Sequence, residues 1–112
     1  MKFAKRMILL SLLCMSTAQA NYWCTGKVTG ISVSKTGSVF VSTDQGFSSV
    51  AVCTIGTTGN GVSPELCRNI YATLLTAYLT DKSVTFAFDD ALTCSNHPAW
   101  GWLTGWYHGP EL

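Results

Sequence analysis

Residues 63–82, SPELCRNIYATLLTAYLTDK, are the clearest local signal in the chain. Ser63 supplies an N-cap hydroxyl, Pro64 suits the first helical position, where its missing N–H costs nothing, and Glu65 sits favourably against the positive end of the helix dipole. Leu66, Ile70, Leu74 and Ala77 then recur at helical spacing, with Cys67, Tyr71, Leu75 and Tyr78 beside them, so a wide apolar face is available for burial. The helix is expected to end near Thr80, Asp81 and Lys82. One helix with strand-like sequence on both sides makes the chain mainly β, and its position among the strands limits the folds available.

Upstream, residues 27–54 alternate like an antiparallel meander. Val28, Ile31 and Val33 form one strand, Val39, Phe40 and Val41 the next, and Phe47, Val50 and Val52 a third. Gly37 and Gly46 fall where the two intervening hairpins need positive φ, and Gly30 is expected to mark a bulge. Residues 56–61, GTTGNG, lack both the Lys-Ser/Thr of a P-loop and the spacing of a dinucleotide fingerprint, and read as a connector. Downstream, residues 83–88 (SVTFAF) alternate with Val84, Phe86 and Phe88 on one face, and residues 100–108 (WGWLTGWYH) read as a fifth strand. The order β-β-β-α-β-β fits an OB-type five-stranded Greek-key barrel, its helix bridging strands three and four. It also fits an open α+β sheet with the helix on one face, and element order does not separate the two.

Residues 1–20 have the form of a signal peptide: Lys2, Lys5 and Arg6, then an apolar run, then Ala18-Gln19-Ala20 before Asn21. The run is too short to span a bilayer, which takes about 20 residues, so residues 21–112 are expected to be a single exported domain, periplasmic or secreted, with no membrane span after cleavage. From residue 21 on, Lys27, Lys35, Arg68 and Lys82 face Asp44, Glu65, Asp81, Asp89, Asp90 and Glu111, a net charge of −2 with both histidines neutral. Nucleic acid and anionic membrane surfaces are therefore poor partners. Cys14 falls in the signal and lacks the small preceding residue of a lipoprotein site. Cys24, Cys53, Cys67 and Cys94 remain, with no C-x-x-C pair to suggest a metal, and in an exported chain they imply two disulfides. Spacing alone leaves the pairing open. The coarse fold favours Cys53 with Cys67, stapling the third strand to the helix, and Cys24 with Cys94, tying the first strand to the far end of the chain. On chain entropy alone such loops contribute roughly 3 and roughly 4 kcal/mol.

No nucleophile and base are recognisably paired, so neither a catalytic residue nor a cofactor is expected. If residues 100–108 form a regular strand, Trp100, Trp102 and Trp106 share one face with Thr104 and His108, a row of indoles suited either to a core or to a flat ligand platform. Asp89 and Asp90 read as a solvated turn. Asn96 and His97, in the loop after the fourth strand, are the polar residues nearest that row, and Trp100, Trp102, Trp106, Asn96 and His97 form the candidate ligand-binding set.

Two resemblances bear on function. Residues 61–67 (GVSPELC), with an upstream strand ending in Cys53, resemble a group of small exported bacterial proteins, a likeness that implies export and names no activity. Residues 74–84 (LLTAYLTDKSV) resemble the helix-to-strand junction of cholera-toxin-type B subunits, and a Cys24–Cys94 bridge resembles that family's single disulfide. That second likeness implies an OB fold, a homo-oligomeric ring and glycan binding. Where the family stacks a sugar on a Trp two residues past the second cysteine, this chain has Asn96. The function expected is a non-catalytic binding module for a glycan; the alternative is a periplasmic inhibitor or immunity-type protein that binds a partner protein.

Overall fold

The computed structural model describes residues 21–112; the expected signal peptide, with Cys14, lies outside the described residues. The order is β1 (Tyr22–Val33), β2 (Ser38–Thr43), β3 (Val50–Thr54), α1 (Pro64–Leu79), β4 (Ser83–Phe88) and β5 (Trp106–Glu111). The five strands form one open antiparallel sheet, β3-β2-β1-β4-β5, with α1 packed chiefly against β1.

β1 holds the sheet together because it serves two neighbours in succession. Its first half pairs with β4, from Tyr22 opposite Phe88 to Lys27 opposite Ser83, and its second half pairs with β2, from Val28 opposite Thr43 to Val33 opposite Val39. The register slips between Val28 and Gly30, the bulge expected from Gly30, which lets one strand bend from one partner to the other. The strand also starts earlier than its apolar pattern, since Tyr22 to Gly26 owe their conformation to pairing with β4.

The inner face carries Val39, Val41, Val84, Phe86 and Phe88, and α1 lays Cys67, Ile70, Leu74 and Ala77 across it. A fully buried Leu or Ile contributes roughly 2 kcal/mol. Ser63 caps α1 as expected, its Oγ accepting from the Leu66 N–H at 3.2 Å. The other end closes with Asp81 at φ 58°: the Lys82 N–H reaches the Ala77 carbonyl at 2.9 Å and the Asp81 N–H faces that of Tyr78 at 3.5 Å, the two-bond pattern that satisfies orphan carbonyls. Cys53 and Cys67 are bonded between β3 and α1, and Cys24 and Cys94 between β1 and the β4–β5 loop, with Cα separations of 5.7 and 5.5 Å.

The last strand departs from expectation. β5 begins at Trp106, not residue 100, and the regular strand that would place Trp100, Trp102 and Trp106 in one row does not form. Trp100 at φ 63° and Gly105 at φ 84° break the extended backbone at two points. Between them the chain lies parallel to β3: the Trp100 N–H donates to the Ser49 carbonyl, the Ala51 N–H to that of Gly101, and the Leu103 N–H to that of Ala51, at 2.7–2.8 Å. These bonds cover the free edge of β3 at Ala51, and all five residues of the strand are buried.

Candidate functional site

The 17-residue connection between β4 and β5, residues 89–105, carries nearly all of the candidate residues and is fastened along its length. At its neck the Asp89 N–H donates to the Gly105 carbonyl at 3.0 Å. Gly105 passes so close to Asp90 that an added Cβ would overlap the carboxylate, and Gly46 meets the backbone of Cys94 and Ser95 in the same way. Both positions therefore need glycine for space as well as for positive φ. Farther along, the Cys24–Cys94 bridge fixes the loop to β1, and the side-chain amide of Asn60 donates to the carbonyls of Val52 and Leu103 at 3.0 and 2.8 Å. The GTTGNG segment is thus a connector whose Asn60 clamps the loop to β3.

On the outside of that clamp lies an aromatic patch. Val39 and Val41 point into the core, so Phe40 between them points outward, and the Trp100 ring packs on it with centroids 5.4 Å apart at 57°. Trp100 is 70% exposed and Trp102 42%. The Trp102 indole lies over Gly59, where an added Cβ would come within 3.1 Å of the ring. Ser42 and Ser49 border the patch: Ser42 Oγ accepts from the Ser49 N–H at 2.8 Å, and the Ser49 carbonyl holds Trp100. None of these side chains is charged, so the patch offers ring faces and hydroxyls.

Behind the loop sits a polar cluster. The Tyr22 hydroxyl donates to Asp90 Oδ1 and lies 3.1 Å from His97 Nε2. With its proton committed to the carboxylate, the phenol oxygen accepts from Nε2–H, which puts the neutral imidazole's proton on Nε2 and leaves Nδ1 a bare lone pair. His97 is only 6% exposed, its ring flanked by Phe88, Phe47 and Tyr22. Nδ1 and Asp90 Oδ2 are both buried without a hydrogen-bond partner. Burial lowers the imidazole pKa against the opposing pull of the Asp90 charge. Burial, the hydrogen bond to Asp90 and that carboxylate's charge together raise the Tyr22 pKa well above the usual phenol range.

The expected residues are therefore dispersed. Trp100 and Trp102 share the patch, whereas Trp106 is turned inward, edge-on to Phe86 at 5.4 Å. Trp106 also lines a groove of about 530 Å³ between α1 and β5, with Leu66, Ile70 and Tyr107. Asn96 is exposed and shapes the loop, its Oδ1 accepting from the Thr93 N–H at 2.7 Å. His97 belongs to the buried cluster. Asp90, read as a solvated turn residue, instead binds Tyr22 and also accepts from the Leu92 N–H at 3.1 Å, as a turn aspartate does. Phe40 and Tyr22 escaped the sequence reading because nothing local in their strands links them to a loop tens of residues away. Among the described residues no three His, Cys, Asp or Glu side chains are placed to hold a metal ion, and no helix is long and apolar enough to cross a membrane. No protein-family model, no curated protein and no solved structure matches the chain, so its reading rests on the geometry above.

Proposed function

We propose that the protein is an exported, non-catalytic binding module of OB type that takes a glycan on the Phe40–Trp100–Trp102 patch. The observation that carries this reading is Trp100. It adopts φ 63°, a conformation that costs a residue with a Cβ about 1–2 kcal/mol, yet leaves its indole 70% exposed. Residues held in costly conformations cluster at active sites and ligand clamps, and exposed aromatic patches mark binding surfaces. An uncharged patch of ring faces with serine hydroxyls at its border suits the C–H face and hydroxyl rim of a sugar.

Two features support the OB-type architecture: the bulged first strand shared between two partners, and the parallel bridge from Ala51 to Trp102, which connects β3 to the segment leading into β5. OB folds bind oligosaccharides on the face of strands two and three and on the adjoining loops, and Phe40 on β2 with the β4–β5 loop occupies that region. The two disulfides are compatible with an exported chain. Trp23, over half exposed on β1 away from the core, favours a second reading, a partner-protein inhibitor that docks through aromatic anchors. The test is a glycan-array screen of the oxidised protein beside Trp100→Ala, with mass by light scattering. Glycan binding that Trp100→Ala abolishes is the expected result, and a ring-sized mass would extend the toxin-B-like reading to assembly. A folded protein that binds no glycan moves the partner-protein reading into first place.

A further inference from the structure

Resting on that reading, we infer that His97 is an acid-released latch for the aromatic patch: protonating its imidazole frees the loop that presents Trp100 and Trp102. Between Cys94 and Leu103, His97 is the single buried residue; Ser95, Asn96, Pro98, Ala99, Trp100 and Trp102 are all exposed. The plug that seats this stretch is thus an ionisable ring where an aliphatic side chain would seat it at any pH. Its surroundings come from four elements: Tyr22 from β1, Phe88 from β4, Phe47 from the β2–β3 loop, and Asp90 from its own loop. Three of these are rings, and among the described residues Asp90 is the one charged group acting on it. Asp90 Oδ1 is already engaged by the Tyr22 hydroxyl and the Leu92 N–H. Nδ1, the atom that would receive the proton, has no acceptor, Asp90 Oδ2 included.

Linkage then sets the direction. The seated imidazole has its pKa lowered by burial, whereas a released, solvated one titrates near 6.5. Above about pH 6.5 both forms are neutral and the loop stays seated. As the pH falls through that value the released form takes up the proton first, so acid favours release. His97 lies three residues before Trp100, and the backbone bonds of residues 100–103 to β3 hold the segment that release would strain. The patch is therefore assembled at neutral pH and dismantled in mild acid.

Hydrogen exchange on the unliganded, oxidised protein at pH 7.5 and 5.0, corrected for intrinsic exchange rates, tests this without any ligand. The latch predicts that protection of the Trp100, Leu103 and Ala51 amides falls at pH 5.0, by at most about thirtyfold for a released imidazole titrating near 6.5, while β4 amides keep theirs, and that His97→Phe, which fills the same aromatic niche without a charge, abolishes the fall. Equal protection at both pH values, or an equal loss in His97→Phe, would overturn it. Should that variant not fold, an NMR titration of the wild-type His97 ring decides the matter: a midpoint below 6.5 coupled to shifts at Trp100 and Trp102 supports the latch, and an unshifted midpoint refutes it. Acid opening in a protein that binds no glycan at pH 7.5 would refute the glycan reading and leave the latch; glycan binding of equal strength at pH 7.5 and 5.0 would do the reverse.

Discussion

Tyr22→Phe is the sharpest perturbation of the buried cluster, because it deletes one oxygen and leaves the ring on Phe88, parallel within 5° at a centroid distance of 4.9 Å. No cavity forms, so the cost is polar. Asp90 loses a charge-assisted hydrogen bond, a type that contributes about 1.5–3 kcal/mol, and His97 Nε2–H becomes a buried donor without its acceptor, about 1–3 kcal/mol more if nothing relaxes. Tyr22 and Asp90 are partly accessible, so water recovers some of this and the expected loss is about 2–3 kcal/mol. For a domain of 60–100 residues each kcal/mol shifts Tm by about 4–8 °C, which gives a drop of about 8–24 °C. Thermal unfolding at pH 7.5 followed by near-UV circular dichroism, with both disulfides verified intact, measures it. A drop under about 3 °C would mean that solvent already satisfies Asp90 and His97, and the cluster would not be the anchor described here.

Three further outcomes follow from the same geometry. Because the Tyr22 pKa is raised on folding, its contribution to stability is complete below pH 10 and is lost as the pH rises beyond it; in phenolate absorbance one of the four tyrosines should titrate only with alkaline unfolding, and Tyr22→Phe should remove that late step. Trp106→Ala should destabilise the fold by about 3 kcal/mol in urea unfolding, whereas Trp100→Ala should change stability by less than about 1 kcal/mol; comparable losses would place both indoles in the core. Ser63→Ala should cost about 1 kcal/mol by loss of the N-cap, read as a Tm shift of about 4–8 °C, and an unchanged Tm would show the Leu66 N–H to be served by water.

What the sequence alone determined is local in origin. Ser63 and Pro64 start a helix and β4 alternates because capping, fixed φ and side-chain period act within a few residues. Gly30 and the hairpin glycines punctuate the meander for the same reason. Four cysteines and the export expected from residues 1–20 point to two disulfides, and the coarse element order favours the pairing that the structure contains. What only the tertiary structure decided is non-local. β5 could not be read correctly because WGWLTGWYH has strand-like composition, while Trp100 and Gly105 take positive φ and the segment between them finds its partner in β3, about 50 residues upstream. Tyr22 meets Asp90 and His97 across sequence separations of 68 and 75. Such contacts form only when packing over the whole chain repays the entropy of closing long loops, and nothing in the neighbouring residues encodes that exchange. For that reason a row of three indoles in the sequence becomes an exposed pair beside Phe40 and a third ring half-buried against the core.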